Sequence, residues 1–282
     1  MPIRVLIDGL GLMGGSLAAA LSAAGHQVWL HHRRPEVAAA AAKRGWGEAV
    51  DDPRQAAAAE VVVTCVPVRA VVERVRALHE SCPRAVITDV GSTKGSICRD
   101  LGDLGAAGAF VGSHPMCGSH ASGLEHARAD LYRGATVVVC PPYPGPEESV
   151  VRICELWQKC CGARVVALEP DLHDQAVARA SHLPHILSAL AARGLDQRAL
   201  PLAAGGFRDT SRVAAASAPL WSDILRENRQ AILAAIAGSI SDLAQLAQAL
   251  EADNEAAIVA WLEGGRERRL AFEHQASINA KA

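Results

Sequence analysis

One stretch decides the fold class: Val5-Leu6-Ile7-Asp8-Gly9-Leu10-Gly11-Leu12-Met13-Gly14-Gly15-Ser16. It places Gly-x-Gly-x-x-Gly directly after a short apolar run, which predicts a buried parallel strand, and residues 17–24 predict the helix that follows. In this setting Gly9 permits a tight turn, Gly11 lets the backbone approach a pyrophosphate, and Gly14 lets the helix pack close to the strand. The N-terminal end of that helix favours phosphate groups. The stretch therefore predicts a dinucleotide site, and a plain glycine-rich turn is the alternative.

Asp8 departs from this pattern, because an apolar strand residue is expected at its position. A carboxylate there would lie close to the negatively charged phosphates of a dinucleotide. We expect Asp8 to point away from the phosphates or to pair with a nearby base such as Arg4.

Strand and helix signals alternate through the first part of the chain. Strand-like runs occur at 4–7, 27–31, 60–66, 85–90, 109–112, 136–140 and 164–167. Helical stretches occur at 35–44, 68–80 and 149–161. This alternation predicts an α/β fold of the Rossmann type, a doubly wound parallel sheet.

The strand signals stop near Asp171. Apolar positions then recur at helical spacing in 171–192, 219–250 and 253–275, which predicts an all-α C-terminal domain. Glu169-Pro170-Asp171 is the predicted hinge, since Pro and Asp are both common at the start of a helix. The predicted domains are residues 1–168, which bind the dinucleotide, and residues 169–282, which are helical.

The composition narrows the class of protein. A net charge of −2 and a pI near 6.6 give no electrostatic reason to expect nucleic acid or a membrane surface as a partner. No apolar run in the sequence reads as long enough to span a bilayer. The eight cysteines contain no Cys-x-x-Cys pair and lie mostly in apolar stretches, which predicts reduced thiols, no metal site and a cytoplasmic location.

The end of the second predicted strand bears on the choice of cofactor. An NAD site commonly has Asp or Glu there to bind the ribose 2′-hydroxyl, but this chain has His31-His32-Arg33-Arg34. Guanidinium groups suit a 2′-phosphate, so NADP is predicted, with NAD possible and a solvated basic turn as the alternative. The predicted cofactor-binding residues are Gly9, Gly11, Leu12, Met13, Gly14, His32, Arg33, Arg34, Val66, Pro67 and Ser92.

Further polar segments follow predicted strands or open the helical domain. They are Asp89-Val90-Gly91-Ser92-Thr93-Lys94, Ser113-His114-Pro115-Met116-Cys117-Gly118, Ser181-His182-Leu183-Pro184-His185 and Gly206-Phe207-Arg208-Asp209-Thr210-Ser211-Arg212. In open parallel sheets, ligands bind beyond the carboxyl ends of the strands. With the glycine loop, these segments make the chain resemble the prephenate/arogenate dehydrogenase family of tyrosine biosynthesis, in its form without an appended ACT domain. The resemblance runs nearly end to end. Cys117 departs from it, since the family often has alanine there.

The resemblance implies an NAD(P)-dependent oxidoreductase that oxidatively decarboxylates arogenate or prephenate. It implies His114 as the base, because imidazole titrates near neutral pH, and Ser92 as the partner of the substrate hydroxyl. Arg212 would hold the ring carboxylate and Arg208 the second carboxylate, with a surface salt bridge to Asp209 as the alternative. His182 and His185 would line the pocket, or be satisfied core histidines. The helical domain would form a homodimer.

Two other functions remain open at this stage. A catalytically inactive nucleotide-binding or sensing protein is supported only by Asp8. Another dehydrogenase of the β-hydroxyacid type would commonly use a lysine in its helical domain, but Lys281 is the only lysine after Lys159. Arogenate and prephenate are not separated by the sequence.

Overall fold

Eight strands and twelve α-helices make up the part of the chain that the computed structural model describes, residues 2–118, 122–142 and 145–281. The strands are β1 (Arg4–Asp8), β2 (Gln27–His31), β3 (Glu48–Ala49), β4 (Val61–Thr64), β5 (Val86–Asp89), β6 (Gly112–Pro115), β7 (Thr136–Cys140) and β8 (Arg164–Ala167). The helices of the first half are α1 (Leu12–Ala23), α2 (Pro35–Lys43), α3 (Val71–Ser81), α4 (Gly95–Asp100), α5 (Gly102–Ala106) and α6 (Glu147–Glu155). Those of the second half are α7 (Pro170–Val177), α8 (Leu183–Arg193), α9 (Gly205–Ser211), α10 (Ala218–Glu227), α11 (Arg229–Glu251) and α12 (Glu255–Lys281).

The first five strands form one parallel sheet in the order β3-β2-β1-β4-β5. Val5 and Ile7 pack in one buried apolar cluster and Leu6 packs in another, because successive side chains of a strand point to opposite faces. Both faces of the sheet are therefore covered, as parallel strands require. The predicted Rossmann-type fold is confirmed.

The last three strands form a second sheet in the order β6-β7-β8. β6 runs antiparallel to β7, and β8 runs parallel to it. The strand predicted at 109–112 lies three residues later, at Gly112–Pro115. The apolar pattern missed this strand because Ser113 and His114 are polar but buried. The backbone is nevertheless extended there, since a residue that precedes proline, here His114, favours extended backbone.

A single π-helical turn, Ala178–His182, joins α7 to α8. Pro184 lies in the first turn of α8 and has no backbone N–H, so the regular helical hydrogen-bond pattern is broken there. π turns of this kind occur frequently at functional sites. Here the turn carries His182, one of the predicted site residues.

The chain divides into two compact units, Met1–Arg229 and Gln230–Ala282. The domain boundary predicted after residue 168 stays a prediction. In the second unit, Trp261 of α12 donates a hydrogen bond to the carbonyl of Asp242 of α11 at 3.1 Å. Both helices expose large apolar side chains, namely Leu233, Ile240, Leu243 and Leu250 on α11 and Val259, Trp261, Leu262, Leu270 and Phe272 on α12.

Helix α11 corrects one expectation from the sequence. It has 23 residues and a mean hydropathy of 1.3 over its most apolar window, so its length and composition alone would allow it to cross a membrane. The sequence reading missed it because the run is rich in alanine and interrupted by single polar residues. One such helix is weak evidence for a membrane span, and an apolar interface between proteins explains the same pattern.

Candidate active site

The glycine loop between β1 and α1 has the geometry that a dinucleotide needs. Gly9 has φ +94°, and a Cβ there would lie 2.9 Å from the carbonyl oxygen of Cys65. A Cβ on Gly14 would lie 1.8 Å from the carbonyl oxygen of Gly9, so helix and loop touch at that point. At Gly11, by contrast, no described heavy atom beyond its chain neighbours and its own helix lies within 4 Å of the Cβ position. The space beside Gly11 is open to a ligand.

A buried tyrosine, Tyr132, fixes the end of the same loop. The hydroxyl of Tyr132 donates a hydrogen bond to the carbonyl of Met13 at 2.7 Å. Leu12 and Met13 begin α1, whose first N–H groups lack helical partners and favour an anion. The loop and helix therefore fit the pyrophosphate of a dinucleotide cofactor.

Asp8 is buried, and it pairs with Arg74 rather than with Arg4. The Arg74 guanidinium donates to both carboxylate oxygens at 2.7 and 2.8 Å, and His31 Nδ1 lies 2.6 Å from Oδ1. Burial acts to raise the pKa of Asp8, but the hydrogen bonds from His31 and Arg74 outweigh it and the pKa is lowered. Arg4 pairs with Glu60 because it begins the strand that Asp8 ends, about 13 Å away.

The basic turn after β2 is open to solvent. Arg33 and Arg34 are exposed, and His32 Nδ1 accepts a hydrogen bond from the backbone N–H of Arg34 at 3.0 Å. Arg34 lies 3.9 Å from Glu36, a weak surface contact. Both guanidinium groups are thus exposed and accessible to an anionic ligand. Val66 and Pro67 follow β4 and are half-buried and exposed, respectively.

His114 lies on β6, with 7% of its surface exposed. Its Nδ1 is 2.8 Å from Nε2 of His173, and Nδ1 of His173 is 2.8 Å from Oδ1 of Asp174. Burial lowers the pKa of His114 well below its usual value, and the charge that His173, Lys94 or His182 carries when protonated acts in the same direction. His114 is therefore neutral at physiological pH, the state that a base requires.

Asp89 connects the loop that carries Ser92 to the strand that carries His114. Its Oδ2 accepts the backbone N–H of Gly91 at 2.8 Å, and its Oδ1 accepts the backbone N–H of Ser113 at 3.1 Å. Lys94 donates to the same carboxylate, and both side chains of the pair are fully buried. The ion pair fixes the two segments together. Ser92 itself is half-buried.

Asp174 links this loop to α7. Its two carboxylate oxygens accept the backbone N–H groups of Lys94 and Gly95 at 2.8 and 2.9 Å. Thr93 is fully buried, and its hydroxyl has no hydrogen-bond partner among the described residues. An orphaned hydroxyl at this position fits a site that receives a polar ligand group.

His182 and His185 lie beside Trp221 of α10. The His185 ring stacks on Trp221 at 3.5 Å between centroids, and His182 meets it edge-on at 5.9 Å. Asn228 donates to the carbonyl of Asp174 at 2.7 Å and lies 3.2 Å from Nδ1 of His182. Burial lowers the pKa of His182 to about 4, and burial also lowers that of His185. Nδ1 of His185 is buried and has no partner in the described part of the chain.

Arg208 and Arg212 are not brought into contact with His114. Both are exposed, and Arg208 forms a 3.1 Å salt bridge with Asp209, which was the alternative for this residue. Arg212 ends α9 and begins a short 3-10 turn. This turn packs on α8, where Ser188 accepts the backbone N–H of Ala214.

Comparison with known proteins decides the family. Residues 17–167 match the nucleotide-binding domain of prephenate dehydrogenase, and residues 169–264 match its dimerization domain. The chain belongs to the prephenate dehydrogenase family. As a family member it is an NAD(P)-dependent oxidoreductase, and the expected resemblance is confirmed.

Individual relatives agree with this assignment. A cyclohexadienyl dehydrogenase of Zymomonas mobilis is 30% identical over 96% of each chain. The structure of Synechocystis arogenate dehydrogenase is 28% identical with a TM-score of 0.86, covering 96% of this chain and all of that one. A prephenate dehydrogenase from A. aeolicus, solved with hydroxyphenyl propionate and NAD+, is 28% identical with a TM-score of 0.88 over 96% and 99% of the two chains.

Several residues of this site escaped the sequence analysis. His173 and Asp174 lay in a segment interpreted only as a hinge and a helix, and Asn228 and Trp221 lay in a predicted apolar helix. A signal was nevertheless present. With Val177, His173 and Asp174 are the buried residues of α7, and charged groups on the buried face of a helix require partners.

Proposed function

We propose that this prephenate dehydrogenase family member oxidatively decarboxylates arogenate or prephenate with NADP+ as the hydride acceptor. The observation that carries the proposal is His114: a buried, neutral imidazole on a strand tied through Asp89 to the Ser92 loop. A neutral histidine in a water-poor site is suited to accept one proton in the transition state.

The reaction needs one proton acceptor and one hydride acceptor. His114 takes the proton of the substrate's ring hydroxyl as the C4–H bond breaks and the C4–O bond becomes a carbonyl. A nicotinamide cofactor held by the glycine loop would supply the hydride acceptor. The ring carboxylate then leaves as carbon dioxide, and its bonding pair completes the aromatic ring while the carbonyl oxygen regains a proton. Ser92, on the loop held by Asp89, would hydrogen-bond the reacting hydroxyl and orient it.

The other predicted substrate residues receive unequal support. His185 is favoured by its buried, unpartnered Nδ1, and His182 by its place next to the Asp174 segment. Arg212 and Arg208 remain proposals for the two substrate carboxylates, because a guanidinium suits a carboxylate. Their exposure in a single chain is compatible with a role at the mouth of the pocket.

The preference for NADP+ rests on the basic turn after β2. Arg33 and Arg34 are exposed and lie at the end of a strand that commonly ends in a carboxylate where NAD is bound. Two exposed guanidinium groups favour a 2′-phosphate. NAD+ remains the alternative cofactor.

We also propose that the chain works as a cytoplasmic homodimer. Support for the dimer comes from the dimerization-domain match and from the exposed apolar side chains of α11 and α12. The eight free thiols suit a reducing compartment.

The test is a four-way steady-state assay that combines prephenate or L-arogenate with NAD+ or NADP+ and follows the absorbance of the reduced nicotinamide. We expect turnover, fastest with NADP+. His114→Asn should lower kcat by roughly 10²–10⁴ while cofactor affinity is kept, and the wild-type chain is the folded comparison. Silence in all four combinations from folded protein would refute the proposed reaction, and a near-wild-type rate for His114→Asn would refute the role of His114 alone.

A further inference from the structure

Three buried side chains form a continuous chain of hydrogen bonds that ends at His114. Asp174 Oδ1 is 2.8 Å from His173 Nδ1, and His173 Nε2 is 2.8 Å from His114 Nδ1. His173 is fully buried, and its ring meets that of His114 at an interplanar angle of 70° and a centroid distance of 5.1 Å. The two nitrogens of His173 and Nδ1 of His114 each face one defined partner, so the positions of the protons can be worked out.

The direction of the hydrogen bonds starts from the carboxylate. Burial acts to raise the pKa of Asp174, but the hydrogen bonds from His173, Lys94 and Gly95 outweigh it, so the pKa is lowered and the group is ionised. An ionised carboxylate only accepts hydrogen bonds, so Nδ1 of His173 carries a proton and donates it. With His173 in its neutral form, which is a premise of the proposal below, its other nitrogen is bare. Nε2 of His173 therefore accepts.

The consequence passes to His114. Because Nε2 of His173 accepts, Nδ1 of His114 must donate, and Nε2 of His114 is left without a proton. The nitrogen that faces away from the relay is thus the one with a free lone pair. A histidine in the opposite tautomer would present an N–H to the substrate hydroxyl and could not take its proton.

We propose that Asp174 and His173 are positioning residues that fix the Nδ1-protonated tautomer of His114 and leave its Nε2 as the proton acceptor. When His114 becomes an imidazolium, its Nδ1–H donates to His173, and His173 in turn donates to the negatively charged Asp174. These two hydrogen bonds stabilise the positive charge on His114. The role in proton removal rests on the proposed function. The assignment of the tautomer rests on the hydrogen-bond geometry with Asp174 ionised and His173 neutral, and it does not depend on the reaction.

Asp174 is held rigidly enough for this task. Backbone N–H groups of Lys94 and Gly95 fix its two oxygens, and Asn228 donates to its carbonyl. A Cβ on Gly95 would lie 2.8 Å from Asp174 Oδ2, so the backbone of the Ser92 loop approaches the carboxylate too closely for any side chain. The loop, α7 and β6 are therefore joined through one carboxylate.

Substituting Asp174 should invert the relay or mix its two hydrogen-bond directions. In Asp174→Asn the NH2 group can take the place of either carboxylate oxygen. In the first orientation it replaces Oδ1 and faces His173 Nδ1 and the backbone N–H of Lys94; in the second it replaces Oδ2 and faces the backbone N–H of Gly95. The first orientation forces His173 to accept at Nδ1 and to donate at Nε2, which forces His114 to accept at Nδ1 and carry its proton on Nε2. The other titratable groups that act on His114 stay the same: Lys94 from the β5–α4 loop and His182 from the π turn.

The first experiment is nitrogen NMR of the full-length chain labelled with 15N histidine, which distinguishes protonated from bare imidazole nitrogens at neutral pH. His114 is assigned by its loss in His114→Asn. We expect bare Nε2 and protonated Nδ1 in the wild type, and reversal or averaging in Asp174→Asn and His173→Asn. Asp171→Asn, an exposed aspartate on the same helix, is the matched control and should leave the spectrum unchanged. A protonated Nε2 on His114 of the wild-type chain overturns the proposal, whether or not the variants fold.

The second readout is the pH profile of kcat/KM. Asp174→Asn should lower the plateau by up to roughly 10⁴, the loss known for a base held in the wrong tautomer. It should also move the acidic limb to lower pH, because the imidazolium loses its negative partner. A drop without movement of the limb would mean that Asp174 only supports the fold. A wild-type chain with the expected tautomer but no turnover would refute the proposed function and leave the relay intact.

Discussion

Asp8 is the last residue of β1 and Asp89 is the last residue of β5. Each pairs with Thr64 of β4, the strand between them, so the two carboxylates lie at the same level of the sheet. Each is buried and paired with a cation. The Asp89–Lys94 pair is fully buried and binds the backbone of two neighbouring segments. The Asp8–Arg74 pair keeps 28% of the arginine side chain exposed and contacts only side chains of its neighbours.

The two ion pairs therefore have different roles at the same edge of the sheet. At the β5 end, a carboxylate organises the loop of Ser92 and the strand of His114, so its charge serves the proposed chemistry. At the β1 end, a carboxylate beside the glycine loop is neutralised by Arg74 and His31, which removes a repulsion from the phosphates. Asp8 is therefore no longer an argument for the hypothesis that the chain is a catalytically inactive protein. Substitutions at the two ends should have different consequences for stability, turnover and cofactor affinity.

The largest effect is expected at the buried pair. Lys94→Met leaves the charge of Asp89 without a partner in a dry site and should lower the free energy of unfolding by roughly 3–5 kcal/mol. Chemical denaturation measures this loss, and kcat should fall with it. Lys159→Met is the control, because Lys159 forms an exposed pair with Glu155 and should change stability by less than about 0.5 kcal/mol. If Lys94→Met lowers the free energy of unfolding by less than about 1 kcal/mol, the proposed difference between the Asp89–Lys94 pair and the Asp8–Arg74 pair is wrong.

A smaller loss is expected for Asp8→Asn. Arg74 retains access to water and can be solvated when its partner is removed, so unfolding should become easier by only about 1–2 kcal/mol. Turnover at saturating cofactor should stay close to that of the wild type. Glu60→Gln, which breaks the exposed pair with Arg4 at the other end of β1, is the matched control. A loss as large as that of Lys94→Met would show that the two ends are equivalent.

The same variant gives a prediction in acid. The pKa of Asp8 is lowered in the folded chain from its ordinary value of 3.8, so its contribution to stability is present above that value and is lost as the pH falls through the folded pKa. The stabilities of wild type and Asp8→Asn should therefore differ near neutrality and converge in strong acid. Denaturation curves at a series of pH values measure the difference. A constant difference across the series would contradict the assignment.

The smallest effect on the fold is expected at the basic turn. Replacing Arg33 and Arg34 by Ala should weaken NADP+ binding by roughly 10–100-fold, since charge-assisted hydrogen bonds are lost, and should leave NAD+ binding nearly unchanged. Titration calorimetry measures both affinities. Arg152→Ala, at an exposed pair on α6, controls for net charge. Equal losses for the two cofactors would remove this turn from the 2′-phosphate site.

The sequence predicted the parts of the molecule that follow from local rules. The glycine loop, the parallel strands and their helices came from apolar runs and turn residues, because both faces of a parallel sheet are buried. β6 was misplaced since its buried side chains are polar. The partner of Asp8 was misassigned, because Arg74 lies 66 residues away and only the packing of α3 on the sheet brings it close.

The candidate site divides in the same way. His114 and Ser92 were predicted through short motifs with a family resemblance, and they remain proposals as catalytic residues. His173 and Asp174 were missed because their meaning comes from contacts with β6 and the Ser92 loop, which helical periodicity does not encode. Long-range polar contacts of this kind are specified by the tertiary fold.

The contact between Gly95 and Asp174 has a consequence for how this chain can vary. Gly95 has an ordinary negative φ, so its backbone would accept any residue, yet a Cβ would lie 2.8 Å from the Asp174 carboxylate. The constraint is therefore one of space imposed by another helix. A saturation library at position 95, selected in cells that need the enzyme's product and are not supplied with it, should return glycine alone. Any second-site change that restores alanine there should map to α7.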